Sequence, residues 1–383
     1  MRSRAHELLD LGQSLWLDHI RRGRLLDGGF ERDVRESGVV GVTSNPTIFQ
    51  QAIGGTVDYD EAIAEGVASG LEGEPLYESL ALPDIRLACD LLRERFEASR
   101  GLDGRVSLEV SPRLAHDTAG SVAAAERLHA AVGRPNVMIK IPATREGLPA
   151  ITRTLGRGIS VNVTLIFSLE RYGEVLDAWQ AGLESLAAAG GDLARVRSVA
   201  SFFVSRVDTK VDAAIEQRLA TLPPGATERA ELERLRGQAA IANARLAYAR
   251  FEAEVAKPRF AALRAKGAHV QRPLWASTST KNPAYRDVLY VEELIGPDTV
   301  NTVPPATLAA FNDHGRVEMR LRDDPAGARR TFERLEALGV PVGRLIEELE
   351  TEGVRAFARS FDDLLATLEA RRQERLARRG GAR

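Results

Sequence analysis

Short runs of β-branched and other apolar residues recur along the chain, separated by longer segments whose apolar positions repeat at helical spacing. Eight runs read as strands, at 14–18, 39–43, 106–110, 136–144, 159–167, 196–204, 273–277 and 299–303. Turn formers stop several of them: Ser44-Asn45-Pro46 after the second, Ser111-Pro112 after the third and Pro304-Pro305 after the eighth. Helical patterns cover 4–11 and 30–36, and then 59–100 in pieces, with Gly70, Gly73 and Pro83 as breaks. Asp117 or Thr118 caps a further helix that Gly133-Arg134-Pro135 ends; 146–155 is a short helix, and Ser168 caps another running to about Ala189.

Strands alternating with helices of this length imply parallel βαβ units, because parallel neighbours need a crossover connection. Eight of them predict an α/β fold of the closed (β/α)8, TIM-barrel type over residues 1–383, in preference to an open doubly wound sheet. No Gly-x-Gly-x-x-Gly follows a strand, which removes the main support for a dinucleotide-binding alternative. Between the sixth and seventh strands the sequence is too long for an ordinary crossover and predicts a helical insertion, 208–268, on the barrel rim. Its charged faces read as solvated, with partner docking as the minor alternative. Residues 343–375 form an amphipathic helix, and 371–383 read as a basic, frayed tail.

Composition narrows the class. Apolar residues are 44% and charged residues 28% of 383, the balance of a globular protein. A formal net charge of -2 argues against an electrostatic nucleic-acid binder. No window is long and apolar enough to span a membrane, and the N-terminus lacks an apolar signal core, so a cytoplasmic protein is expected. The single cysteine, Cys89, excludes an internal disulfide or a cysteine-based metal cluster and reads as a small core residue.

Against this background the fourth strand stands out. Alternation puts Met138, Lys140 and Pro142 on one face and Val137, Ile139 and Ile141 on the other. Burying a lysine is costly, and a lone strand lysine is more often salt-bridged than catalytic. The free amine that desolvation favours is, however, the form that attacks carbonyls to give Schiff bases. In a barrel, functional groups belong at the C-terminal ends of strands. Asp18, Asn45, Glu109, Lys140, Asn162 and Thr164 all lie at or near such ends. Each has an ordinary explanation alone, as a cap, a turn or a satisfied core group. Two carboxylates, a lysine and several amides and hydroxyls at one mouth point jointly to an active site.

Six stretches carry a family resemblance: Gly41-Val-Thr-Ser-Asn45-Pro-Thr-Ile-Phe49, Val106-Ser-Leu-Glu109-Val110, Met138-Ile-Lys140-Ile-Pro-Ala-Thr144, Val161-Asn162-Val-Thr164-Leu-Ile-Phe167, Ala200-Ser201-Phe-Phe203-Val-Ser-Arg206-Val-Asp208 and Trp275-Ala-Ser277-Thr-Ser-Thr-Lys281-Asn-Pro283. In this order they resemble the signatures of the transaldolases, over about residues 15–307, and the insertion is similar to that of the longer, bacterial-type members. The resemblance implies a Schiff-base enzyme of the pentose phosphate pathway. It would transfer a dihydroxyacetone unit from a ketose phosphate, sedoheptulose 7-phosphate or fructose 6-phosphate, to an aldose phosphate. By the same resemblance Lys140 forms the imine, Glu109 moves protons through a water near Thr164, and Asp18 takes the C4 hydroxyl proton. Asn45, Asn162 and Ser201 hold substrate hydroxyls, and Arg206 grips the phosphate. Phe203 shares the parity of Ser201 and so should face the site.

The protonated imine is itself the electron sink, so neither a metal nor an organic cofactor is expected. The expected partners are ketose and aldose phosphates, not nucleic acid or a membrane, and the chain is expected to work as a monomer or homodimer. One departure from the family pattern follows the seventh strand. Where many transaldolases carry an arginine, this chain has Ser277 and, further on, Lys281. Both are taken as substrate-binding, Lys281 through the phosphate, with a solvent-exposed loop lysine as the competing reading. The rival functions are a Schiff-base aldolase that releases the three-carbon unit, and a non-catalytic barrel scaffold; retention of Lys140, Glu109 and Asp18 speaks against the scaffold.

Overall fold

The computed structural model describes residues 2–380. Eight parallel strands close in sequence order into a barrel: β1 (Gln13–Leu17), β2 (Gly41–Thr43), β3 (Arg105–Glu109), β4 (Val137–Pro142), β5 (Val161–Ile166), β6 (Ser198–Phe203), β7 (Gln271–Ala276) and β8 (Thr299–Val303). Closure is completed by β1 against β8, with Gln13 beside Thr299 and Leu17 beside Val303. Every strand is buried along nearly its whole length, as a barrel wall under helices must be. This explains why β4 reads as an almost unbroken apolar run with one ammonium group in it. Gly41 in β2 lies against the Trp16 indole, and a Cβ there would come within 2.6 Å of the ring. The expected barrel is therefore the observed one.

Local chemistry sets the helix starts. Asn45 accepts from the Ile48 amide at 2.9 Å and Pro46 takes the first position of the helix Pro46–Gly55. Asp117 caps Thr118–Val132, which ends at Gly133 with φ 60°, and Ser168 caps Leu169–Ala188. Cys89 is buried within the helix Gly73–Leu91, where burial raises its thiol pKa. Among the described residues no helix is long and apolar enough to cross a membrane.

Two expectations need correction. Pro83 does not break its segment: Gly73–Leu91 runs through it. Proline removes one N–H, the one that would reach the Ser79 carbonyl, and the helix around it is held from outside: Arg22 donates to the Leu80 carbonyl and to the Asp84 carboxylate, both at 2.8 Å. Nor is the basic tail frayed from residue 371, since the last helix continues from Val342 to Gly380. Its arginines find anchors: Arg371 reaches Asp60 and the Thr56 carbonyl, and Arg372 reaches Glu72. Residues 381–383 of that tail lie outside the described residues.

Four helices separate β6 from β7: Ser205–Thr221, Thr227–Leu235, Ala239–Val255 and Pro258–Arg264. The alanine-rich third one is mostly buried, tied to the first by the Ala240 amide on Asp208 at 2.8 Å, whereas Thr227–Leu235 buries only Leu232. The helix Val342–Gly380 passes over the C-terminal end of the barrel. Gly353 lies against Leu165 and Phe167, Thr47 bonds Ser360 at 2.8 Å, and Lys210 pairs with Glu348 at 2.8 Å.

Candidate active site

Strand register builds the centre of the site. Glu109 pairs with Lys140 across β3–β4, and Lys140 with Asn162 across β4–β5, so three adjacent strands present their side chains in one row. Adjacent strands lie about 4.8 Å apart, which brings an ammonium and a carboxylate within reach without long side-chain excursions. Lys140 Nζ is 3.2 Å from Glu109 Oε2 and donates to the Ser44 carbonyl at 3.1 Å; the lysine is only 4% exposed. Burial raises the Glu109 pKa against the opposing pull of Lys140. Its Oε2 lies off the line of a hydrogen bond, and Thr164 Oγ1 is likewise buried without a protein partner. Such atoms are uncommon in folded proteins, and these two lie on the strands flanking that of Lys140 with bonding capacity free.

Beside this row opens a cleft of about 310 Å³ at the C-terminal ends of the strands. Asp18, Asn45, Lys140, Thr164, Ser201, Phe203, Arg206, Ser277 and Lys281 all line it. Asp18 is held by the Thr43 hydroxyl at 2.6 Å, and Thr43 in turn meets Thr302 at 2.7 Å. Burial pushes the Asp18 carboxyl above its ordinary range, with the Thr43 bond and the charge of Lys140 opposing. The two carboxylates thus sit in different surroundings, Glu109 against Lys140 and Asp18 against the Thr43 hydroxyl on the cleft wall, a difference that lets two acids take different proton-transfer roles.

Arg206 opens the helix Ser205–Thr221, and its guanidinium stacks 5.4 Å from the Phe203 ring and 5.8 Å from the Phe357 ring. Burial lowers its pKa, and among the described residues it makes no ion pair, so its planar fork of donors is available to an anion. Lys281 is exposed and donates to Ser279 at 2.8 Å. Ser277 has φ 57°, the left-handed region that serine seldom adopts, and its hydroxyl meets that of Ser205 at 2.9 Å. That turn swings the chain out of β7 toward the cleft.

Two of the expected residues are not on the cleft wall. Glu109 faces a separate, smaller cavity that it lines with Ser44, Asn45 and Tyr77, and Asn162 is fully buried, donating to Ser107 at 3.0 Å and accepting from Ser201 at 2.7 Å. Asn45 lines the cleft while also capping its helix, so the cap and the site are one residue. Sequence reasoning missed Phe357, which comes from the last helix and lies 5.9 Å from Lys140 Nζ and 6.4 Å from Phe203. It also passed over Thr43 and the Ser44 carbonyl, although both stand in a quoted motif. Phe357 carried no signal, being one apolar position among many in an amphipathic helix.

Residues 15–368 match the family described as transaldolase/fructose-6-phosphate aldolase. The chain is 53% identical over 362 residues to transaldolase 1 of Streptomyces coelicolor, covering 94% of this chain and 93% of that one. It is 51% identical over 367 residues to the transaldolase of Saccharopolyspora erythraea, covering 96% and 97%. With transaldolase 2 of Nostoc sp. it shares 45% over 367 residues, covering 95% and 96%. A closed barrel with a lysine–carboxylate pair at its heart, matched end to end in this way, leaves the assignment plain: the chain belongs to the transaldolase/fructose-6-phosphate aldolase family.

Proposed function

We propose that the chain is a transaldolase that moves a dihydroxyacetone unit from a ketose phosphate to an aldose phosphate through an imine on Lys140. The observation that carries this reading is the buried Lys140 amine held 3.2 Å from Glu109 at the edge of a cleft that also contains Asp18 and an unpaired guanidinium. Arg206 receives the donor's phosphate, with Lys281 as the second cation at the rim. Lys140 adds to the ketose carbonyl, and Glu109, with Thr164, moves the protons that turn the adduct into imine and water. Asp18 takes the proton from the C4 hydroxyl, the C3–C4 bond breaks, and its electron pair is drawn into the iminium nitrogen. The first aldose leaves; an incoming aldehyde accepts the three-carbon nucleophile and the steps run backwards to release the new ketose.

Asn45 and Ser201, both on the cleft wall, bond hydroxyls of the bound unit in this reading. Asn162, beneath Ser201, acts on substrate through Ser201 or after a small rotamer change. Phe203, packed on Phe167 at 5.1 Å between centroids, offers no proton and keeps water from the intermediate, which favours transfer over release. The setting we infer is cytoplasmic sugar-phosphate metabolism, with the chain a monomer or homodimer. Borohydride added with fructose 6-phosphate should fix a reduced three-carbon unit on Lys140, and product should form rapidly only when erythrose 4-phosphate or glyceraldehyde 3-phosphate is supplied. Label on another lysine sinks the mechanism; free dihydroxyacetone released as fast as transfer makes the chain an aldolase.

A further inference from the structure

The opposite end of the barrel holds a second concentration of positive charge. A cavity of about 670 Å³ opens beneath the N-terminal ends of β3 to β6 and is lined by Arg93, Arg100, Arg105, Arg157, Arg195 and Arg197 against two carboxylates, Glu97 and Asp192. Arg93 pairs with Glu97 at 2.5 Å, Arg157 pairs with Glu126, and Asp192 is turned to the Ala194 amide. Arg100, Arg105, Arg195 and Arg197 have no ion-pair partner among the described residues.

Two of these four are deep inside: Arg105 is 1% exposed and Arg197 is 7% exposed. Arg105 donates to the Gly101 carbonyl at 2.8 Å and to Ser160 at 3.2 Å, and lies 5.3 Å from the Phe96 ring. Arg197 donates to the carbonyls of Ala194, Val196 and Arg100, while its Nε is buried with no partner. Neutral carbonyls satisfy donors without cancelling charge. Burial, and then the repulsion from Arg197, hold the Arg105 pKa down to about 9.

A purely structural arginine at this level looks different. Arg272, one strand further round and 4% exposed, sits 3.3 Å from the Asp103 carboxylate and also bonds Ser14. The fold therefore gives a buried guanidinium a bonded carboxylate where it uses one as a plug, whereas Arg105 and Arg197 face the cavity with Asp103 and Asp192 acting on them only from beyond ion-pair distance. Buried charge without a bonded counter-charge is costly, and an anion entering the cavity relieves that cost.

We infer that this cavity binds a small phosphate-bearing anion, on a site separate from the catalytic cleft. Arg105 and Arg197 form its floor, Arg100 and Arg195 its rim, and Phe96 and Leu186 supply apolar wall for the organic body of the ligand. From Arg105 to Glu109 is about 13 Å of strand, four rises of ~3.3 Å, so occupancy here leaves the catalytic cleft free. The inference does not depend on which reaction that cleft performs.

Inorganic pyrophosphate is the probe, titrated calorimetrically into the full chain carrying Arg206→Ala, which removes the anion-binding fork at the other end. One pyrophosphate per chain is expected. Adding Arg100→Glu and Arg195→Glu, both exposed positions, should weaken that binding at least tenfold while the circular dichroism stays native. The melting temperature of the Arg206→Ala protein should rise with pyrophosphate at constant ionic strength, and that of the charge-reversed protein should not. No heat of binding to the Arg206→Ala chain overturns the inference. So does unchanged affinity after charge reversal, or an equal rise with sodium chloride alone.

Discussion

Phe357 tests whether the last helix belongs to the active site or merely rests on it. Its side chain is 4% exposed, with its ring centroid 6.4 Å from that of Phe203, 5.9 Å from the Lys140 ammonium and 5.8 Å from the Arg206 guanidinium. Phe357→Ala removes a buried aromatic, which costs about 3–5 kcal/mol in a closed core. Beside an open cleft water can fill the gap, so about 3 kcal/mol is expected, a fall in Tm of about 4 °C for a chain of this length. The functional effect is separate. A partly desolvated cation–π contact contributes about 1 kcal/mol, so loss of the ring under Arg206 should raise KM for phosphorylated donors roughly fivefold.

Opening the roof above Lys140 should also admit water, so free dihydroxyacetone should increase relative to transfer product. Phe357→Leu separates the two contributions: it keeps apolar bulk, restores most of the stability, and still lacks a ring face for Arg206. Thermal melts, KM for fructose 6-phosphate, and the release-to-transfer ratio read the three quantities. If both variants lose stability in proportion to size while KM and the ratio stay at wild-type values, Phe357 only fastens the helix and the site ends at the strands.

Asp18→Asn should still form the borohydride-trappable imine yet turn over at least a hundredfold more slowly, whereas Glu109→Gln should slow imine formation itself; equal small losses from both would make them structural. Arg206→Ala should raise KM for phosphorylated donors by roughly one to two orders of magnitude and leave unphosphorylated dihydroxyacetone nearly unaffected, and parallel losses would show that it only supports the mouth. Burial raises the Asp208 carboxyl from 3.8 to about 7, with the Ala240 amide and Tyr290 hydroxyl opposing. The folded chain therefore keeps this proton to higher pH than the unfolded chain does. The stability it contributes is complete below about pH 4 and is lost as pH rises through about 7. Asp208→Asn should flatten that fall and give the more stable protein at pH 8 in denaturant melts; an unchanged pH profile would show that Asp208 is ionised throughout.

The barrel was legible because each wall strand must be apolar on both faces, which leaves short dense runs between turn formers. Polar residues inside those runs had few reasons to be there, and for that reason Lys140, Glu109, Asn162 and Thr164 could be picked out from the chain alone. What periodicity cannot convey is depth. It places Asn162 on the correct face but not beneath Ser201, whose hydroxyl takes up its carbonyl oxygen. Pro83 was misjudged because the helix around it is clamped by Arg22, some sixty positions earlier, at Leu80 and Asp84. The tail was misjudged in the same way, since its anchors Asp60 and Glu72 lie about 300 residues upstream. Long-range partners of this kind leave no local pattern, and neither does Phe357.

Where each group is mounted separates the chemistry from the recognition. Glu109, Lys140 and Asn162 sit in register on three neighbouring wall strands, fixed by the same ladder that closes the barrel. Arg206, Lys281 and Phe357 sit past the strand ends, on a helix start, a loop and the last helix. On the proposed mechanism, a change in the strand row must distort barrel geometry or remove a reacting group, so it should act on the rate of the covalent steps. Groups on the rim can change length, charge or ring face without moving the row, and so act on which substrate is held and for how long. The serine–lysine stretch after β7 is a place where such a change can be made. Thr278, fully buried against Asn301 and Thr302, has no room for an arginine. On the proposed mechanism, an arginine in place of Ser279, which lines the cleft, would add a second guanidinium beside Arg206 and should lower KM for phosphorylated donors. The Lys140–Glu109 pair, 3.2 Å apart on the strands, should meanwhile keep its rate of imine formation.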